Sequence, residues 1–294
     1  MSATDTARII DGLELANGVR AELAERIEAI HQEGSKVRLD AVIVEGNAAG
    51  SVYAASQART CGQLGIEYEL HELPSDVEDG VVHETIERLN ADPDVHAIMV
   101  HLPLPPGIDA EAVQSAIIPS KDVEGVNPAN IGNVIYGRRS LVPCTALATL
   151  KMIEATGCVL QGKRVVCVGA SRIVGRPVAV LLMEAESTVI STNIHTVDLA
   201  SLTREADVVV TAAGVPGLLT GDMIKPGAIV IDVGINRVLD PETGKTQTTG
   251  DVDFDSVSKI AGWLSPVPGG VGPMTVAMLL RNTVDSAFQH QVSC

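Results

Sequence analysis

At 294 residues the chain is long enough for two domains of ordinary size, each with its own core. A hydrophobic share of 46% excludes a disordered chain, and aromatics at 2% leave the cores to Ala, Val, Ile and Leu, which suits layers of parallel sheet and helix. The formal net charge of −16 argues against a nucleic-acid partner and against an anionic membrane surface. Cys61, Cys144, Cys158, Cys167 and Cys294 form no CxxC pair, so they read as buried reduced thiols rather than a disulfide or zinc framework, and no metal is expected. The opening MSATDTARIIDG lacks the basic-then-apolar order of a signal peptide, and no apolar run reaches membrane-spanning length. A soluble, cytoplasmic protein is expected.

Residues 13–33 repeat apolar positions at helical spacing (Leu13, Leu15, Val19, Leu23, Ile27, Ile30) and end in Glu33-Gly34, a helix with its stop signal. LDAVIVEG (39–46) reads as a buried strand, SVYAASQARTCGQLG (51–65) as a second helix and IEYELHEL (66–73) as the next strand. A helix is predicted near 82–91, then a strand over 96–105 ending at its prolines, a short helix near 109–117 and a polar loop over 119–132. PCTALATLKMIEATG (143–157) is a helix with Thr145 as its expected cap, and the domain change is placed within it. Strand and helix alternating through short joints signal βαβ units and a parallel sheet.

KRVVCVGASRIVGRPVAVLLMEAES (163–187) begins the second unit with a strand, a glycine, a short turn, a second glycine and an apolar helix. Those are the parts of a dinucleotide fold, whose helix N-terminus accepts phosphate. The spacing Gly169-x5-Gly175 departs from GxGxxG, so alone it leaves a plain βα turn as the alternative. The strands expected at 187–192, 206–214 and 227–236 strengthen the dinucleotide reading, each ending in small or polar residues. SPVPGGVGPMT (265–275) then packs three prolines and three glycines before the apolar run VAMLL. Proline fixes φ and glycine permits close approach, so this is a rigid loop shaped around a ligand, with Thr275 able to cap a helix over roughly 273–290.

HLPLP, KDVEG, PCT, GASRIVGRP, GDMIKPGAIVIDVGIN, GDVDF and PVPGGVGPMT follow one another in this order. Together they make the chain resemble the methylenetetrahydrofolate dehydrogenase/cyclohydrolase family along nearly its whole length. The resemblance implies a two-lobed α/β protein. Its folate-binding catalytic lobe is residues 1–146, completed by a C-terminal helix returning over 277–294, and its Rossmann-like NAD(P)-binding lobe is 147–276. It further implies a cleft where the lobes meet and a homodimer. Family members oxidise 5,10-methylenetetrahydrofolate with NADP to the 5,10-methenyl cation, and many hydrolyse that cation to 10-formyltetrahydrofolate.

Carried over residue by residue, the catalytic positions are Tyr53, Gln57, His101 and Glu124. The substrate positions are Tyr53, Val100, His101, Leu102, Glu124 and the loop Pro268, Gly269, Gly270, Val271, Gly272. The cofactor positions are Gly169, Ala170, Ser171, Arg172, Ile173, Val174, Ile194, His195, Ile235 and Thr275. The family carries a lysine where this chain has Gln57, a glutamine at His101 and an aspartate at Glu124, whereas Tyr53 is retained. Tyr53 and Gln57 are four apart, hence on one helix face.

Hydride loss needs placement and no proton transfer, whereas hydration of the cation moves protons. A glutamine cannot titrate, so a dehydrogenase with weak or absent cyclohydrolase activity is expected. His101 could substitute in part, since imidazole titrates near neutral pH, although a plain hydrogen-bonding role for it is preferred. A bifunctional enzyme and a paralogue binding a different folate-like substrate stay open. Ile194 stands where the family grips the cofactor 2′-phosphate with arginine, so NADP rests on the resemblance and NAD is a rival, with Arg172 and His195 as the nearby sources of positive charge.

Overall fold

The computed structural model of the chain describes residues 6–46, 48–239 and 244–293. In chain order these hold β1 (Arg8–Ile9), α1 (Gly12–Gln32), β2 (Arg38–Val44), α2 (Ala48–Leu64), β3 (Glu67–Leu73), α3 (Asp79–Ala91), β4 (Ala97–Val100), α4 (Ala110–Ala116) and α5 (Pro128–Ile135). There follow α6 (Cys144–Ala155), β5 (Arg164–Val168), α7 (Gly175–Glu184), β6 (Thr188–Thr192), α8 (Leu199–Thr203), β7 (Val208–Thr211) and β8 (Ile229–Asp232). The chain closes with β9 (Asn236–Leu239), β10 (Thr246–Thr249), α9 (Phe254–Val257), β11 (Trp263–Leu264) and α10 (Val271–Ser293). Two compact units result: Gly18–Cys144 with the chain from Ala277 onward, and the chain up to Asn17 with Thr145–Val276.

In the first unit β2 is the centre of a parallel sheet of order β3-β2-β4. Its near-continuous apolar sequence suits a strand covered on both faces. Val42, Ile98 and Val100 bury one face against Val82, Ile86 and Leu89 of α3 and Val113 of α4. Each such side chain contributes roughly 1.5–3 kcal/mol by leaving water. The exception on β2 is Asp40, fully buried and held by Arg38 (2.8 and 2.9 Å) and by His71 Nε2 at 2.7 Å, with Arg38 also reaching Glu69. The Arg38 guanidinium thus already supplies the positive charge among Asp40, Glu69 and His71.

β4 stops at Val100, not at residue 105, because Pro103 and Pro105 have no N–H to continue a ladder. Beyond it the 119–132 segment is not all loop. Its second half enters α5, with Pro128 in the first turn and the Asn127 side chain accepting from Ala129 N–H at 2.8 Å. Lys121 is buried, and its ammonium donates to the carbonyls of Leu89, Asn90 and Asp92 at the end of α3 (2.6–3.1 Å), groups a helix end leaves without donors. Asp122 accepts from Gly125 N–H, Asn127 N–H and Asn130 Nδ2. On α10, Asn282 Nδ2 donates to Val123 O (2.8 Å) and Val142 O (2.9 Å), pinning both flanks of the same loop.

The second unit is a six-stranded parallel sheet of order β1-β11-β8-β7-β5-β6. From β5 the chain steps outward to β6, then crosses back to build β7, β8 and β11 on the other side. The strand order therefore reverses between β5 and β7, the place where such sheets take a ligand beyond their carboxyl ends. β1 differs from the sequence expectation, which gave residues 1–17 to the first lobe. It pairs with β11 (Arg8 with Trp263, Ile9 with Leu264), and Gly12 N–H donates to Gly269 O at 3.0 Å. The segment read as one strand over 227–236 is β8 plus the start of a β9-β10 hairpin.

Both expected threonine caps fall inside helices. α6 begins at Cys144, and the Thr145 carbonyl accepts from Thr149 Oγ1. α10 begins at Val271, and Thr275 Oγ1 donates to Val271 O at 3.0 Å. The second start came early because Pro273 lies in the first turn, where a missing N–H costs nothing. Cys61, Cys144, Cys158 and Cys167 are free thiols, Cys158 half-buried and the others buried; Cys294 lies outside the described residues. No helix among the described residues is long and apolar enough to cross a membrane.

Candidate active site

Three of the four expected catalytic residues in the first unit come together. α2 presents Tyr53, and the end of β4 presents His101, their rings meeting edge to face with centroids 5.9 Å apart. His101 lies on the α2 side of the sheet because Ile98 and Val100 face α3 and α4, and side chains alternate. Glu124 reaches the same place from the loop after Lys121. Ile98 N–H donates to Lys121 O at 2.8 Å, and two residues on, Val100 N–H finds the Glu124 carboxylate in place of a carbonyl. Gln114 of α4 donates to that carboxylate as well. Val100 thus serves through its backbone, its side chain being core, while Leu102 is 41% exposed.

Gln57 is set apart from this group. It is 2% exposed, its Nε2 donates to Met99 Sδ at 3.0 Å, and its Oε1 accepts from Tyr68 OH at 3.4 Å. Its amide is absorbed by the scaffold.

Two buried polar atoms of the group have no hydrogen-bond partner among the described residues: His101 Nε2 and Glu124 Oε2. Burial pushes the Glu124 carboxyl up to about 7, with Asp122 nearby adding to the effect. Burial pushes the His101 imidazole down, so it is neutral at neutral pH. It also pushes the Tyr53 phenol up to about 12, aided by Cys144 and Glu124, so Tyr53 is a proton donor at any working pH. The Cys144 thiol is held well above its usual range by burial and by Glu124 and Asp122. An un-ionised phenol, a neutral imidazole and a carboxyl near its midpoint make a site able to grip a polar heterocycle and exchange protons with it.

In the second unit the glycine turn of the expected cofactor residues sits at the switch between β5 and β7, while Ile194, His195, Ile235 and Thr275 lie on other segments. Gly169 has φ +103°, and a Cβ there would lie 2.4 Å from Ala212 O; one on Gly175 would lie 2.0 Å from Gly169 O. Both glycines are therefore imposed by backbone against backbone, and the turn Ala170-Ser171-Arg172-Ile173-Val174 is drawn tightly onto the start of α7. Ser171 Oγ accepts from Gly175 N–H, and Arg176 Nε donates to Ala170 O. Beyond β6, Ile194 is 93% exposed and His195 is exposed in a turn held by the Asn193 side chain, and beyond β8 Ile235 is exposed. In the loop after β11, Pro268 and Gly272 are exposed while Gly270 and Val271 are buried.

Asp251 was quoted within GDVDF but given no role, and it organises this end of the sheet. Its Oδ2 takes Thr211 Oγ1 (3.0 Å), Ala213 N–H (2.7 Å) and Gly214 N–H (3.1 Å), and its Oδ1 takes Val215 N–H (3.0 Å) and Asn236 Nδ2 (2.9 Å). Asp232 accepts from the N–H groups of Gly234, Asp251 and Val252, and burial raises its carboxyl to about 6. The chain distance between these partners hides the network from any short motif.

A parallel sheet with a glycine turn at its switch point in one unit and a buried polar site in the other define a dinucleotide-binding α/β enzyme. Residues 10–124 match the tetrahydrofolate dehydrogenase/cyclohydrolase catalytic domain and residues 143–291 the NAD(P)-binding domain of the same family. The chain belongs to that family. It is 46% identical over 281 residues to the bifunctional protein FolD of Moorella thermoacetica, covering 96% of this chain and 99% of that one. It is 49% identical over 283 residues to the bifunctional protein FolD of an Azoarcus species, covering 96% and 97%. Among solved structures, the bifunctional FolD dehydrogenase/cyclohydrolase of Campylobacter jejuni aligns with TM-score 0.92 at 43% identity, over 96% of this chain and 99% of that one. The Trypanosoma brucei FolD, complexed with NADP cofactor and inhibitor, aligns with TM-score 0.92 at 38% identity over 99% and 100%.

Proposed function

We propose that the chain oxidises 5,10-methylenetetrahydrofolate with NADP to the 5,10-methenyl cation and hydrolyses that cation to 10-formyltetrahydrofolate. The observation that carries this reading is the convergence of Tyr53, His101 and Glu124 with two buried polar atoms left without partners among the described residues. Tyr53, Val100, His101, Leu102 and Glu124 are proposed to hold the pterin, together with the 268–272 loop. The glycine turn 169–174, Ile194, His195, Ile235 and Thr275 are proposed to hold the dinucleotide. The unit holding β2–β4 is proposed as the folate lobe and the six-stranded unit as the cofactor lobe. The hydride step needs from these residues only alignment and exclusion of water.

For the second step, relatives at 46% and 49% identity that bear the name bifunctional favour hydrolysis over the weak or absent activity expected from Gln57. NADP rather than NAD is supported by the T. brucei complex, against the bare Ile194 turn. The test is one preparation assayed twice. Methylenetetrahydrofolate with NADP must yield reduced cofactor, and the methenyl compound supplied alone must decay faster than in buffer. Failure of the first removes the dehydrogenase reading, and failure of the second removes the two-step reading. The ratio of kcat/KM for NADP to that for NAD decides the cofactor. A homodimer, checked by sedimentation, and cytoplasmic residence, checked by fractionation, complete the proposal.

A further inference from the structure

We infer that Glu124 is the acid–base residue of the hydrolytic step, doing through its free carboxylate oxygen what residue 57 cannot do. The inference rests on the two-step reading above. Its geometric ground is the division of labour within one carboxylate. One oxygen is tied to Val100 N–H and Gln114, which fixes the group in the site, while Oε2 is sealed from water with no partner among the described residues. A carboxylate held this way is oriented yet has a lone pair to spend on a ligand or on water.

The groups facing it decide whether it can titrate. Asp122 comes from its own loop, Tyr53 from α2, His101 from the end of β4 and Cys144 from α6. None of these is a cation: Tyr53 and Cys144 are held un-ionised, and His101 is neutral. Burial together with the Asp122 charge therefore raises the Glu124 carboxyl to about 7, where both its forms are present in comparable amounts. His101 is the weaker candidate, since burial lowers its basicity and removes its acid form from the neutral range.

The step balances. Water adds to the methenyl carbon as the Glu124 carboxylate takes one of its protons, giving a neutral carbinolamine and a carboxylic acid. The carbon–N5 bond then breaks, N5 takes the proton from Glu124, the hydroxyl proton leaves to solvent and the carbonyl of the 10-formyl product forms. One proton is released per turnover and Glu124 ends as it began.

The test uses the intact protein with the methenyl compound. In the wild type, catalysed hydrolysis above the buffer rate is expected to rise with pH through an inflection near 7, measured from about pH 5.5 to about pH 8.5. In Glu124→Gln the ratio of hydrolysis to dehydrogenation is expected to fall on the order of a hundredfold or more, with the inflection gone. In Glu124→Asp the inflection is retained at a lower pH. A wild-type profile without the inflection overturns the inference without needing any variant to fold. So does a Glu124→Gln ratio within about threefold of wild type. A wild type that hydrolyses nothing removes both this inference and the two-step reading, whereas the two results above leave that reading standing.

Discussion

Glu124 in the first unit and Asp251 in the second are both acids set beside an expected ligand site, and the protein treats them in opposite ways. Asp251 has both oxygens engaged by five donors from two stretches of chain, so its lone pairs are spent on holding the chain in place. Glu124 has one oxygen engaged and the other left bare in the interior. An acid whose lone pairs are consumed by the fold is a clamp; one kept short of donors is being held for something that arrives. Residues outside the chemistry obey the same division, for Lys121 gives its ammonium to three carbonyls and Asp122 gives its carboxylate to the turn that aims Glu124.

The largest effect that can break this comparison is expected at the clamp. Asp251→Ala leaves the buried Thr211 hydroxyl and the part-buried Ala213, Gly214 and Val215 N–H groups without an acceptor, and a fully buried donor so stranded costs roughly 1–3 kcal/mol. A loss of about 4 kcal/mol in chemical denaturation is expected, allowing for water reaching part of the loop, together with weakened NADP binding by calorimetry. Asp251→Asn keeps an acceptor and is expected to recover about half of the stability. Full stability and full cofactor affinity in the alanine variant would show that the network is ornamental.

Glu124→Gln is expected to do the reverse. An acid whose pKa is raised in the folded state binds more protons there than in the unfolded chain, so stability is lost as pH rises through the window from about 4.5 to about 7. Asp232, raised to about 6, adds to the same slope, while Asp207, lowered chiefly by Lys225, opposes it. Removing the Glu124 charge is expected to stabilise the protein by about 1–2 kcal/mol at pH 7.5 and by far less at pH 5, read as the difference in denaturation midpoints. A stabilisation equal at both pH values would mean that the carboxyl is not the titrating group.

Next in size is Gln57→Lys. It places a cation in a pocket whose present amide is satisfied by Met99 and Tyr68, so the variant is expected to lose about 1 kcal/mol of stability. Its hydrolysis is expected to rise about tenfold, and a lysine that leaves the Met99 and Tyr68 scaffold to approach Glu124 would also lower that carboxyl and move the pH inflection down. A rate gain with no movement of the inflection would separate the lysine from Glu124.

The fold was legible where chemistry is local. Alternating strands and helices, the prolines ending β4 and the glycines of the phosphate turn announce themselves because steric rules act over a few residues. β1 escaped because two residues of ARII carry no period and acquire a strand only by pairing with Trp263 and Leu264, far along the chain. The cap assigned to Thr275 failed because proline in a first turn looks like a loop until the helix around it is seen, and the one assigned to Thr145 because α6 starts directly after Pro143, ahead of that threonine. At the site, Tyr53, His101 and Glu124 could be named from motifs, but not the orphaned oxygen, which depends on where the ladder beside β4 runs out. Gln57 was read as a lost function, and the structure adds that its amide is a packing element.

The smallest effect expected belongs to His101, whose linkage to pH runs against that of its neighbour. A histidine whose pKa is lowered by burial binds fewer protons folded than unfolded, so below its ordinary value of 6.5 it withdraws stability as pH falls. Glu124 and Asp232 withdraw stability as pH rises, so the histidine partly cancels their slope below about pH 6.5 and the wild type is expected to lose stability less steeply there than a variant without it. His101→Gln keeps a polar group in contact with Tyr53 but cannot titrate. Its stability at pH 7.5 is expected to stay within about 0.5 kcal/mol of wild type, while a steeper downward slope with rising pH emerges at the acid end, where Glu124 and Asp232 are then no longer opposed by the histidine. Denaturation midpoints of wild type, His101→Gln and the double variant with Glu124→Gln are sufficient: the slope must steepen in the first variant and shrink to the Asp232 share in the second. A slope left undiminished in the double variant would assign the acid-end behaviour to Asp232 alone, and with it the contrast between the clamp and the waiting acid would have to be drawn elsewhere.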